Sequence, residues 1–566
     1  MTRFSEFAER FHHHFSIDPN RRVTLGIPGD LGSLPDPSLA HAASVASEAE
    51  RLLSELGGID PGTLDFEQRL DSKLARLMLE AEVHALTHRF NDRLRLEQLP
   101  NAGDEIGDGI FQLFINDPRP AAERLLDITT RLEAVPRFLD AMLERLSLPL
   151  ARWKQMDLKK VAGLPQLFDS VVAWSDAVTF ADRQRLLRAR AAAEQALEAY
   201  GARLAAMPAG AGLHLSEADA RRTVELRGID LDFSTLHAIA KKFLAETSET
   251  IEALRVQLAE KYRLGPDTSV ERLEAFLQER FAVPLPSGRL EDILERYERE
   301  RERVLAFVEA RQLFPIPPDQ DLSILRTPSF MEPSIPAGAM LPPPPFRAGT
   351  KRSLVYLTLS HELLPEHTEL SIPAMMIHEG IPGHHLQLAT AASHPSVIRR
   401  HFEAMDQAEG WTTMLEDYML DVGYLEELQT EARFVGKRDI SRLAARVAID
   451  LFFMTGARDY LDIGAGCDLS DPDPFRAAAS LLSKVTGFVP GRVDAELNWY
   501  SQERGYPLCY LTGNQLVHQL KSKVFRANTP HERGVDLERT FHRVFLEAGN
   551  MPLSLLEEVF THQGLL

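Results

Sequence analysis

The stretch His378-Glu379-Gly380-Ile381-Pro382-Gly383-His384-His385-Leu386-Gln387 sets a carboxylate beside one imidazole, with two more imidazoles shortly after. Neutral imidazoles ligate zinc, and a glutamate next to a ligand can take a proton from water activated by the ion. The familiar helical form is H-E-x-x-H, whose histidines share one helix face. Here the second histidine position is Pro382, which cannot ligate, and the next imidazoles are His384 and His385. On a regular helix, six residues turn through about 600° and rise about 9 Å, so His378 and His384 would point to different faces. His385 would share the face of His378, but a rise of about 10.5 Å keeps both rings from one ion at about 2.1 Å. A metal site here therefore requires a break in the helix. Gly380, Pro382 and Gly383 supply one, since proline removes a helix hydrogen bond and glycine tolerates unusual dihedrals. The alternative is an ordinary loop between two helices with exposed histidines.

A catalytic zinc usually has three protein ligands and one open position. The third ligand is expected downstream, where Glu409-Gly410-Trp411 lies in an amphipathic segment over 395–425, with Glu416 seven residues on and Asp417 beside it. One carboxylate on that face could complete the ion and a second could orient a ligand histidine. Otherwise both are surface acids, the usual place for glutamate. Two other histidine groups compete less well. His361-Glu362-Leu363-Leu364-Pro365-Glu366-His367 repeats the spacing without glycine and between turn-like flanks. His12-His13-His14 sits between Phe11 and Phe15 and reads as a helix end, because three adjacent histidines cannot all face one ion.

Residues 38–313 are expected to be helical throughout, with apolar residues recurring at three- and four-residue steps. Within them 183–206 has strong helix composition, and 235–261 and 290–313 read as long amphipathic helices. Residues 19–37, rich in Gly, Pro and Asp, read as loop. Prolines from Pro315 to Pro345, including Pro328, Pro333 and Pro336, interrupt the helical pattern. Leu322–Leu325 and Ser353–Leu359 read as strands of a small sheet just upstream of the metal helix. An edge of that sheet could pair with an extended peptide or simply close a structural hairpin. A further helix is expected over 507–521.

At 566 residues the chain exceeds one typical domain, and two lobes are expected: a helical N-terminal lobe over 1–312 and a catalytic lobe over 313–566. A net charge of −20 argues against a nucleic-acid partner. Two cysteines, Cys467 and Cys509, form no metal or disulfide pattern. No secretory leader is legible in Met1 to Phe15 and no run of apolar residues suits a membrane span, so a cytoplasmic protein without membrane partners is expected.

His378–Gln387 and Glu409-Gly410-Trp411 together resemble the bacterial family catalogued as domain of unknown function 885, whose pattern is H-E-G-x-P-G-H-H-x-Q followed by E-G-W. That family is similar to zincin-type metallopeptidases with glutamate as third ligand, and distantly to thimet oligopeptidases. The resemblance implies a mainly α, two-lobed fold with a deep cleft and a small sheet near the metal helix. It implies one Zn²⁺ held by His378, His384 and Glu409, because Gly383-His384-His385-Leu386 aligns His384 with the second ligand. Asn20–Ser38, and Tyr500, Pro507, Tyr510 and Gly513, resemble further family segments. The expected activity is hydrolysis of a peptide or other amide, with Glu379 as general base and Tyr510 as oxyanion donor. Tyr506 and His518 are alternates for the donor, and His385 and Glu416 are expected behind the ligands or against substrate. Met454 departs from the family, where Asp450-Leu451-Phe452-Phe453-Met454 stands for D-T-G-x-H. That departure keeps open an amide hydrolase for one small metabolite, and a catalytically inactive helical binding protein is the remaining alternative.

Overall fold

The chain is mainly α-helical, with one three-stranded sheet and a two-stranded ribbon at Arg89–Phe90 and Arg93–Leu94. The structure, a computed structural model, describes residues 2–327, 338–528 and 530–566, without side chains over 530–535. Pro328, Pro333 and Pro336 lie outside the described residues. The predicted helical stretch resolves into helices with side-chain caps where the sequence offers them. Ser38, Asp65, Ser216, Asp232 and Ser269 each accept a backbone N–H of the first turn. The helices Arg183–Ala206, Phe233–Lys261 and Glu291–Arg311 fall within two residues of their predicted bounds.

Two expectations are corrected. Pro19–Leu25 is a helix rather than loop: the Asp18 carboxylate accepts the Arg21 N–H at 2.7 Å, Pro19 opens the helix and Gly26 closes it at φ 71°. Seven residues carry too little periodicity to outweigh the surrounding Gly and Pro. The 395–425 segment divides into Val397–His401, capped by Ser396, and Met405–Asp421.

The chain forms two units, one of residues 1–214, 344–348 and 395–402, the other of 215–343, 349–394 and 403–566. The first 214 residues fall in one unit, to which 344–348 and 395–402 return. Helices within 215–312 bury their apolar faces against the metal-site elements. Ile293 and Tyr297 of Glu291–Arg311 pack with Ile324, Val355, Ile372 and Met376. Ile251, Leu254 and Leu258 of Phe233–Lys261 pack with Leu370 and Phe434. In the first unit, Phe4, Phe7, Phe11 and Phe15 line the buried face of Arg3–Phe15. Its three histidines diverge: His14 meets the Glu82 carboxylate, and His12 Nδ1 lies 2.8 Å from His401 Nε2.

In the second unit the strand Lys351–Leu357 is central, parallel to Gln320–Arg326 and antiparallel to Gly338–Leu341. The first two were expected; Gly338–Leu341, only four residues long, was not. Against this frame two helices, Met405–Asp421 and Cys509–Ala527, cross at backbone contact. A Cβ on Gly410 would stand 2.5 Å from the Gly513 carbonyl carbon, and one on Gly513 would stand 2.0 Å from the Asp406 carbonyl oxygen.

Gly513→Ala is therefore expected to destabilise the protein by about 1–3 kcal/mol or more. Gly436→Ala, in a helix with open space around it, is expected to be neutral or to stabilise by up to about 1 kcal/mol. Urea denaturation midpoints measured side by side check both.

Candidate metal centre

The break that the histidine spacing requires is present. Helix Ser371–Glu379 carries His378 in its last turn, and a new helix, His384–Ala392, starts with His384 as its first residue. Between them Gly383 lies against the end of the first helix: a Cβ there would be 1.9 Å from the His378 carbonyl oxygen and 2.2 Å from that of Ile377. Gly380 is nearly as confined, with the Met376 carbonyl oxygen 2.7 Å from its missing Cβ. Trp411, fully buried, donates its indole N–H to the Pro382 carbonyl at 2.9 Å. The Glu-Gly-Trp triplet therefore works in three directions. Glu409 faces the histidines, Gly410 admits the crossing helix, and Trp411 ties down the loop between the two short helices.

His378, His384 and Glu409 each offer one ligand atom, and these lie within 4.8 Å of one another. Glu409 Oε2 is 3.4 Å from His384 Nε2 and 3.8 Å from His378 Nε2, longer than good hydrogen bonds. Ligand atoms about 2.0–2.2 Å from a tetrahedral ion stand roughly 3.3–3.6 Å apart, so the spacing suits a shared cation. The imidazole planes cross at 85°. Glu409 Oε2 is buried without a hydrogen-bond partner, which is costly for a carboxylate unless something positive meets it. Burial alone would raise Glu409, but the His384 and His378 imidazoles and the Tyr510 hydroxyl outweigh it and hold it at about 2. Burial likewise would lower His378, but its hydrogen bond to Glu416 and the surrounding carboxylates raise it.

Glu416 stands where the same-face spacing predicts, with Oε1 2.8 Å from His378 Nδ1. That bond fixes the ring so that Nε2 points to Glu409. His384 Nδ1, by contrast, is buried with no protein partner. Glu379, half-buried beside His378, has no hydrogen bond or ion pair among the described residues, leaving its carboxylate available. The Tyr506 hydroxyl donates to Glu409 Oε1 at 3.3 Å, and the Tyr510 hydroxyl also turns to Glu409.

Other expected residues sit elsewhere. His385 is fully buried, with Nδ1 2.7 Å from Ser353 Oγ and Nε2 2.5 Å from Gln320 Oε1. Both ring nitrogens are engaged by the sheet, so His385 braces its helix against the sheet. His518 is exposed, about 12 Å along its helix axis from Tyr510. Its charged neighbours are Asp417, Lys521 and Lys437, and it is not an alternate donor at the triad. Met454 is fully buried. Of the competing motif, His367 is buried beside Tyr297, its Nδ1 3.1 Å from the Tyr297 hydroxyl.

Sequence reasoning missed the supports of the tyrosines. The buried Asp450 carboxylate accepts N–H groups of Gly505 at 3.1 Å and Leu508 at 3.2 Å, anchoring the turn from which Tyr506 and Tyr510 project. Burial pushes Asp450 up to about 7 even so. The Arg446 guanidinium lies 4.3 Å above the Tyr510 ring and pairs with Glu496. The aromatic density of Trp499, Tyr500, Tyr506 and Tyr510 was the available signal for this cluster.

A family profile described as bacterial protein of unknown function (DUF885) matches residues 19–560. No curated protein matches the chain. Among solved structures, a candidate lipoprotein from Colwellia psychrerythraea superposes with a TM-score of 0.79 at 18% identity, covering 100% of this chain and 99% of that one. A candidate lipoprotein of unknown function from Shewanella oneidensis gives a TM-score of 0.76 at 17% identity, covering 99% and 100%. These likenesses establish a shared fold.

If the triad holds zinc and Glu416 orients His378, Glu416→Ala weakens zinc affinity by about 10–100-fold, while His518→Ala leaves it unchanged. Competition against a chromophoric chelator measures both.

Proposed function

The chain belongs to the bacterial DUF885 family, and within it we propose a zinc-dependent hydrolase of peptide or other amide bonds. One observation carries this reading: two imidazoles and a carboxylate, 31 residues apart at the extremes of the chain segment they span, converge on one point where the carboxylate oxygen Oε2 of Glu409 is buried and unpartnered. The pattern of His378, Glu379, His384 and Glu409 is also similar to zincin-type peptidases with a glutamate third ligand, and distantly to thimet oligopeptidases.

The residues present fit zinc in type and spacing, with His378, His384 and Glu409 as ligands. When bound, the ion would supply Lewis-acid polarisation of the substrate carbonyl and acidify a water. Glu379 takes a proton from the attacking water and returns it to the leaving amine as the carbon–nitrogen bond breaks. Tyr510 donates its hydroxyl to the oxygen on which negative charge develops. Glu416 keeps Nδ1 of His378 protonated, so that Nε2 presents its lone pair. Tyr506 steadies the Glu409 carboxylate from its other oxygen. A second reading, an amide hydrolase for one small metabolite, is favoured by the buried apolar Met454 at a position where the family pattern has histidine.

Metal analysis of purified protein is expected to give one zinc per chain. Glu379→Gln keeps that zinc while turnover of a peptide library falls about 10²–10⁴-fold, and His384→Ala loses the metal where His385→Ala does not. Wild-type protein without stoichiometric metal would overturn the proposal.

A further inference from the structure

We propose that the ring faces of Trp499, Tyr506 and Tyr510 form a subsite for an aromatic or large aliphatic side chain flanking the amide attacked at the metal centre. The inference rests on the hydrolase reading and names its substrate class.

The three rings form one cluster. The Trp499 indole meets Tyr506 edge-on at 4.9 Å and Tyr510 at 6.3 Å, and the two tyrosine rings stack at 5.8 Å. The cluster is continuous with the triad, because the Tyr506 hydroxyl reaches Glu409 Oε1 at 3.3 Å. All three rings are half-buried, whereas the adjoining Tyr500 is fully buried and bonded to Glu496 at 2.7 Å. Tyr500 is thus a support, and the other three residues are not fully enclosed.

Polarity decides what such a wall would take. Both tyrosine hydroxyls lie on the triad side, at Glu409, so away from it the groups left for a neighbouring side chain are ring carbons. Among the described residues, Arg446 and Arg227 are the cations placed over the rings, and both have carboxylate partners. Arg446, buried over Tyr510, pairs with Glu496 at 3.0 Å and donates to the Tyr500 hydroxyl at 3.0 Å. Arg227, over Tyr506, lies 3.6 Å from Glu503 and donates to the Arg504 carbonyl at 3.3 Å. An acidic side chain would gain no unpaired cation here. An aromatic or branched aliphatic one would remove apolar area from water on both sides, with the added preference of ring for ring.

The test compares peptide amides carrying Phe, Leu, Gly or Asp beside the bond cleaved. Wild-type kcat/KM is expected to favour Phe and Leu over Gly and Asp by about tenfold or more. Trp499→Ala lowers the Phe-to-Gly ratio severalfold, and Trp499→Phe, which keeps a ring, retains most of it. A wild-type ratio near one, or a ratio unchanged in Trp499→Ala, overturns the subsite. A second measurement is independent of turnover: calorimetric binding of N-acetyl-phenylalanine amide and N-acetyl-glycine amide to Glu379→Gln protein. Tighter binding of the phenylalanine ligand, lost in Trp499→Ala, supports the subsite even if no hydrolysis is found, in which case the hydrolase reading alone fails. Equal binding of the two ligands overturns the subsite whatever the turnover.

Discussion

The candidate centre depends on the contact between two glycines. Gly410 and Gly513 let the helices Met405–Asp421 and Cys509–Ala527 approach until backbone touches backbone. With side chains at both positions the axes would stand farther apart, and Glu409 and the tyrosines would separate with them. Glu409 immediately precedes one glycine and Tyr510 lies three residues before the other, so both project from the crossing itself. A polar site built on helices held this way has little freedom to drift, as a metal or a transition state requires of its ligands.

Around that crossing, each functional group is held by one that does no chemistry. Trp411 holds the loop between the histidines, Glu416 holds the ring of His378, His385 holds the second helix to the sheet, and Asp450 holds the tyrosine turn. The result is a carboxylate buried between two imidazoles. Desolvation opposes its charge and the imidazoles favour it, while Glu409 Oε2 keeps no hydrogen-bond partner. Buried charge of this kind costs stability unless it is compensated, and a bound cation would return that cost.

Much of this was legible in the sequence, for local reasons. Long helices announce themselves through periodicity, and the helix break through Gly380, Pro382 and Gly383. Glu416 followed from a same-face spacing of seven residues. Long-range partners were not legible. Nothing in the pattern of Glu291–Arg311 says that it packs against the helix carrying His378. His385 was expected behind the ligands or against substrate, and its two partners, Ser353 and Gln320, have no signature of their own in the sequence. The roles of Asp450 and Arg446 were hidden similarly: Asp450 bonds the turn at Gly505 and Arg446 the helix residue Tyr500, each more than fifty residues away.

The bond from Tyr506 to Glu409 joins residues 97 positions apart, and the glycine contact joins segments separated still further. During synthesis, the histidines and Glu409 leave the ribosome well before the helix that fixes their geometry exists. A nascent chain can offer those side chains to any passing ion, but in an unfinished cradle with loose geometry. On the proposed reading, selective loading would wait until residues near 513 have emerged and docked, and metal acquisition would be a late, post-translational event.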